Sequence, residues 1–152
     1  MARFEYTTRL ACSRDGLFDF LLRPANVMRV SDPQTGLNIV KAPEIVEVGS
    51  QIEFQLIGFG QLQGATHEIV ELSRPDRIVE VQLRGPLRSY RHEHLFEPER
   101  DGVLMVDTIE FEPPGGLLGL IANADRIIDQ FEQGFFARQQ QLERLVASGE
   151  LA

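Results

Sequence analysis

Gly85-Pro86-Leu87-Arg88-Ser89-Tyr90-Arg91-His92-Glu93-His94-Leu95-Phe96 is the stretch from which the rest of the chain can be read. Side chains of an extended strand alternate between its two faces. Tyr90, His92, His94 and Phe96 therefore share one side, and Ser89, Arg91 and Glu93 share the other. The charged side belongs in water, so the aromatic and imidazole side looks inward. Two imidazoles on an inner sheet face exceed what packing requires. They point to a cavity with a polar patch in its wall.

Strand patterns flank this stretch on both sides. After the Arg100-Asp101-Gly102 hairpin, Val103, Met105, Asp107, Ile109 and Phe111 form the apolar face of the next strand. Pairing Glu97 with Gly102 across a four-residue loop sets His92 opposite Asp107 and Tyr90 opposite Ile109. A shift of two sets His94 opposite Asp107 instead, and either register places a carboxylate among the imidazoles. Upstream, Arg77 to Leu83 reads as a strand with Val79, Val81 and Leu83 on its apolar face. Leu62 to Leu72 is ambiguous: Val70 and Leu72 favour one face, Ala65 and Ile69 the other, and a bulge reconciles them. The facing of His67 stays open. Ile52, Phe54 and Leu56 alternate with Glu53 and Gln55 in a further strand.

At the start of the chain, Phe4, Tyr6, Thr8 and Leu10 alternate with Arg3, Glu5, Thr7 and Arg9, the pattern of a half-buried strand. Ser13 is placed as a helix N-cap with Asp15 in the first turn. Leu17, Phe18, Leu21 and Leu22 give that short helix its apolar stripe, and a second short helix covers Ala25 to Val30. Pro113-Pro114-Gly115-Gly116 ends the strands. A long helix of about 45 Å is then expected from about Leu117 to Val146. Leu117, Leu120, Ile121, Ala124, Ile127, Ile128, Phe131, Phe135, Leu142 and Leu145 collect on one of its sides. Arg138 falls inside that apolar sector and Phe136 outside it; Gly134 lowers helix propensity near the middle.

A strand, two short helices, a run of antiparallel strands and a long C-terminal helix make an α+β architecture. A curved sheet wrapped around such a helix leaves a hollow that helix side chains cannot fill. The 152 residues suit one domain over 1–152. The formal net charge of −8 disfavours nucleic acid and anionic membrane surfaces, which reward clustered Lys and Arg. Cys12, the single cysteine, forms no intrachain disulfide and no thiolate cluster. No signal-peptide core and no apolar run of about 20 residues is present, so a cytoplasmic protein without membrane insertion is expected.

The chain resembles the SRPBCC superfamily, the START-like or helix-grip fold that includes polyketide cyclase/dehydrase-like proteins, and within it a bacterial ligand-binding branch. Gly85-Pro86-Leu87 with Tyr90-Arg91-His92-Glu93-His94-Leu95-Phe96 carries the likeness most directly. Pro24-Ala25-Asn26-Val27, Asp32-Pro33, the Gly49 to Phe54 strand entry, Asp107 to Phe111, and Phe135-Phe136-Ala137-Arg138 also match. Tyr90 stands where Trp is usual and Leu87 where an aromatic is usual, which makes the pocket less aromatic. The resemblance implies a curved antiparallel sheet around the last helix and a hydrophobic ligand (lipid-, polyketide- or aromatic-like).

Three readings of His92, His94 and Asp107 stand side by side. They form a self-satisfied polar cluster that fixes register, a patch that orients a mostly apolar ligand, or a general acid–base pair of a cyclase, dehydratase or hydrolase. A protein-interaction module with a vestigial cavity is a further alternative, with Phe136 as a contact. His-x-His offers two metal ligands, with Asp107 a third and His67 a fourth if it faces inward. No metal and no cofactor is assigned. Arg138 either snorkels, holds a ligand anion at the cavity mouth, or pairs with an inner-face acid. The expected ligand-lining set is Phe54, Leu56, Val81, Tyr90, His92, His94, Met105, Asp107, Ile109, Phe131, Phe135 and Arg138. The partner expected is a small hydrophobic molecule, bound by a monomer or a homodimer.

Overall fold

The computed structural model describes residues 1–152. Its centre is the hairpin of β6 (Ser89–Glu99) and β7 (Gly102–Glu112), closed by Arg100 and Asp101 alone. Glu99 pairs with Gly102, His94 stands opposite Asp107, and His92 stands opposite Ile109. Of the two registers the sequence allows, this is the one shifted by two. β6 runs on through Pro98 because its pairing with β5 (Arg77–Arg84) ends at Leu95, so the missing N–H of Pro98 breaks no bond of that ladder.

Seven antiparallel strands form one curved sheet in the order β1-β7-β6-β5-β4-β3-β2. β1 (Ala2–Leu10) pairs residue for residue with β7, its inner positions Phe4, Thr8 and Leu10 buried as the alternation requires. β2 (Asn38–Lys41) and β3 (Gln51–Gly58) make the opposite end, and β4 (Gln61–Ser73) joins β3 to β5.

The ambiguous β4 is resolved by the bulge. Ile69 pairs with Glu80 and Glu71 with Val79, leaving Val70 as the extra residue. Ala65, His67 and Ile69 therefore face inward before the bulge, and Leu72 packs on the core after it. A second shift, between Thr66 opposite Arg84 and His67 opposite Gln82, leaves Leu83 extra on β5.

The facing expected for β5 is corrected here. Ile78, Glu80 and Gln82 point into the sheet's hollow, whereas Val79, Val81 and Leu83 point to its outer side. Val79 is nevertheless fully buried. Its register neighbours Glu71 and Glu93 both pair with Arg77, at 3.5 and 2.5 Å, and these chains cover the valine.

Two short helices close one end. α1 (Arg14–Leu21) starts at Ser13, whose hydroxyl accepts from the Gly16 N–H. α2 (Pro24–Val30) follows, with proline at its first position. Leu17, Phe18, Val30 and Cys12 join Phe96, Met105 and Leu142 in the larger core cluster.

One continuous C-terminal helix is not what forms. α3 (Gly116–Ile121) stops at Ala122, and α4 (Ala124–Ala147) begins afresh. The Asn123 side chain accepts the Arg126 N–H and Asp125 sits in the first turn, a complete start signal inside an unbroken apolar stripe. α4 carries Ile127, Phe131, Phe135, Arg138 and Leu142 toward the sheet. Leu117 and Leu120 of α3 remain exposed. No helix is long and apolar enough to cross a membrane.

Candidate functional site

Between the inner sheet face and α4 lies a cavity of about 410 Å³. That volume suits a small organic molecule. Its apolar wall comes from Ile52, Phe54 and Leu56 on β3, Ala65 and Ile69 on β4, and Ile127, Phe131 and Phe135 on α4. Pro24 and Val27 of α2, Leu118 of α3 and Phe59 in the β3–β4 turn complete it. The titratable side chains concentrate on the β4–β5–β6 wall: His67, Glu80, Tyr90, His92 and His94, with Arg138 reaching in from α4 and Asp32 set apart after α2.

The polar wall is one connected cluster. His92 Nε2 lies 2.8 Å from Asp107 Oδ1, and its Nδ1 faces the Tyr90 hydroxyl at 3.2 Å. Glu80 Oε2 meets His67 Nδ1 at 3.0 Å, while its Oε1 lies 3.4 Å from both His92 Nδ1 and His94 Nε2. His94 Nδ1 is 2.9 Å from Asp107 Oδ1, but at an angle that leaves it without a hydrogen bond. The rings of His92 and His94 stack at 3.8 Å between centroids. Two carboxylates thus lie on opposite edges of one imidazole pair.

Arg138 donates from Nη1 to Asp107 Oδ1 at 3.2 Å and from Nη2 to Oδ2, a bidentate grip, with its guanidinium 4.4 Å above the Phe135 ring. It neither snorkels nor stands free for a ligand anion. Of the alternatives open in the sequence, pairing with the inner-face acid is the one realised.

Electrostatics follow from these contacts. Burial disfavours a charged Asp107, but Arg138, His92 and His94 outweigh it and hold the carboxyl well below its ordinary range. Burial likewise opposes ionised Glu80, and hydrogen bonds from His67, His92 and His94 bring it well down. His94 loses solvation too, yet Asp107 and Glu80 push it up to about 9. Burial, with Glu80 and Asp107 nearby, drives the Tyr90 phenol well above its usual value. The wall thus sets the Glu80 and Asp107 carboxylates against the Arg138 guanidinium and the His94 imidazole, each shift favouring the charged form of its group.

The remaining site residues named from the sequence divide by position. Phe54, Leu56, Tyr90, His92, His94, Phe131, Phe135 and Arg138 line the cavity. Val81 does not; it is on the outer sheet face for the reason given above. Met105, Asp107 and Ile109 face inward but are fully buried behind the lining. Asp107 acts through the histidines and Arg138. Glu80 was missed, and His67, whose facing the sequence left open, also lines the cavity. The signal for Glu80 was an acid between two valines directly opposite a histidine strand, overridden by the apolar majority of Val79, Val81 and Leu83.

A curved seven-stranded antiparallel sheet gripping a C-terminal helix, with short helices after the first strand, is the helix-grip fold. Solved structures share it at low sequence identity. A major latex-like protein from ginseng, Panax ginseng, has TM-score 0.69 and 15% identity over 95% of this chain and 97% of its own. A protein from Thermus thermophilus has TM-score 0.73 and 13% identity, covering 97% and 99%. An uncharacterised protein from Rhizobium leguminosarum has TM-score 0.73 and 16% identity, covering 94% and 95%. At these identities the likeness shows the fold alone. No protein-family model and no curated protein sequence matches the chain.

Proposed function

We propose that residues 1–152 act as a single ligand-binding domain of the SRPBCC kind, enclosing one small, mostly apolar molecule with a polar group at one end. The observation that carries this reading is the segregation of the cavity. Its β3 wall and most of its α4 wall are aliphatic and aromatic, and the histidines, Glu80 and Tyr90 are gathered on the β4–β5–β6 wall, with Arg138 and Gln130 of α4 and Ser31, Asp32 and Thr35 as the polar groups elsewhere. Apolar burial at roughly 25 cal/mol per Å² supplies affinity, and the histidine–carboxylate wall sets orientation. Because Asp107 is already bound by Arg138, the groups left to address a ligand are His67, Glu80, His94 and the Tyr90 hydroxyl. That set suits a hydroxyl or carbonyl better than a free anion. Native mass spectrometry of the purified protein, followed by displacement of an apolar fluorescent probe with any co-purified compound, is the test. A one-to-one complex and full displacement support the reading; a cavity that takes up neither probe nor compound sinks it.

A second reading rests on one further observation. Tyr90, His92 and Asp107 form a hydrogen-bonded chain in which an acid orients an imidazole and a phenol caps it. This is the arrangement of a general acid–base group. An enzyme would lose turnover in His92→Gln with folding intact.

A further inference from the structure

Three donor atoms converge on one point of the polar wall. Glu80 Oε1 lies 3.4 Å from His92 Nδ1 and 3.4 Å from His94 Nε2, and all three atoms sit within 4.8 Å of one another. Tetrahedral metal–ligand bonds of about 2.0–2.1 Å make ligand-to-ligand edges of about 3.3–3.4 Å. Two of the three edges already have that length.

Each side chain is also aimed by a partner on its far side. His92 rests its Nε2 on Asp107. A carboxylate only accepts, so that nitrogen carries the hydrogen, and the lone pair of Nδ1 takes the Tyr90 hydroxyl with Glu80 Oε1 3.4 Å away. His94 has Nδ1 beside the same Asp107 oxygen and Nε2 on Glu80; that Nε2 now donates to Glu80, and an incoming ion takes the place of its hydrogen. A small turn of its ring, now stacked at 30° on His92, completes the bond to Asp107 that Nδ1 lacks. Glu80 is held through its other oxygen by His67, and Asp107 by Arg138. Ligating histidines need this kind of outer support, an N–H donated to a carboxylate that fixes tautomer and orientation.

We propose that Glu80 Oε1, His92 Nδ1 and His94 Nε2 bind one divalent cation of the zinc type, with the fourth position open to the cavity. Two imidazoles and a carboxylate suit a borderline first-row metal rather than calcium or magnesium, which take shells of oxygen. Asp107, the third ligand that the His-x-His pattern suggested, lies behind the histidines and orients them, while Glu80 occupies the ligand position. The Tyr90 hydroxyl, now on His92 Nδ1, gives up that contact to the ion and borders the open side. This site does not depend on an apolar ligand.

The test uses untagged protein. All three histidines of the chain lie in the cluster, so no other imidazole competes. Protein stripped with a chelator is titrated with zinc chloride by calorimetry and with cobalt chloride by absorption spectroscopy, with no organic probe present. One ion per chain and the intense visible bands of tetrahedral cobalt are expected. Glu80→Gln, with circular dichroism unchanged, should weaken zinc binding at least tenfold and abolish those bands. Should Glu80→Gln fail to fold, His92→Gln must show the same loss. His67→Gln, which frees the outer oxygen of Glu80, should weaken binding by about 10-fold. No stoichiometric uptake by the wild type overturns the proposal, as does equal affinity in Glu80→Gln and His92→Gln. Neither result bears on probe binding in the cavity, so this site and the apolar cavity fail separately.

Discussion

Arg138 of α4 grips Asp107 of β7 through both ends of its guanidinium, fastening the helix to the second strand of the sheet by an ion pair shut away from water. Removing one member of such a pair strands a charge in the interior and costs about 3–5 kcal/mol. Arg138→Leu should therefore lower stability by that amount in urea unfolding. Asp107→Leu/Arg138→Leu should recover a large part, because no charge is then left unpaired. A double variant less stable than Arg138→Leu alone would show that the pair itself, not its breakage, dominates.

Stability should depend on pH in two separate windows. The folded pKa of His94 is raised to about 9 against 6.5 for the free side chain, so its contribution is complete below about 6.5 and fades as pH climbs to 9. Glu80 and Asp107 shift the other way; their contribution is complete above about pH 4.5 and is lost as acid carries the folded groups through their depressed values. Thermal unfolding in the presence of a chelator should give a plateau between roughly pH 5 and 6.5. His94→Gln should flatten the alkaline side of the curve. An alkaline slope unchanged in that variant would assign it elsewhere.

Gly134 lies on the cavity side of α4, and a Cβ there meets nothing within 4 Å. Gly134→Ala should raise stability by about 0.8–1 kcal/mol through helix propensity alone. Gly134→Phe instead projects a ring into the hollow and should reduce uptake of an apolar probe with the fold intact. Probe titration and circular dichroism of the two variants separate these effects.

Asn123 restarts the helix. Asn123→Ala should cost about 1 kcal/mol, within the range of 0.5–2 for a lost cap, and Asn123→Asp should be close to neutral. Chemical denaturation of the pair reads this directly. Equal stability of all three would mean that packing, not the cap, sets the break.

The architecture was legible because alternation is a strong signal where one sheet face is buried. β1, β3 and β7 fell on their observed faces, and Ser13 capped α1 as its position implied. What the sequence hid has particular causes. The break at Ala122 was concealed by an apolar stripe that runs on across it, so that Asn123 and Asp125 read as polar-face residues rather than a cap. β5 was turned over because its outer side is also apolar, roofed by Arg77 and its two glutamates. With β5 reversed, Glu80 could not be seen as the centre of the cluster. His67 was undecidable until the bulge at Val70 was placed. The hairpin register hung on whether the strand continues through Pro98, which depends on where a neighbouring strand stops.

The division between α3 and α4 has a consequence for how such a chain can diversify. α4 has its own cap and its own anchor in Arg138, so the six residues ahead of it carry little of the framework's burden. Leu117 and Leu120 already stand in solvent beside Leu118, which touches the hollow. Substitutions there can reshape the rim of the hollow while the scaffold stays put, leaving cavity shape and foldability to evolve on separate segments.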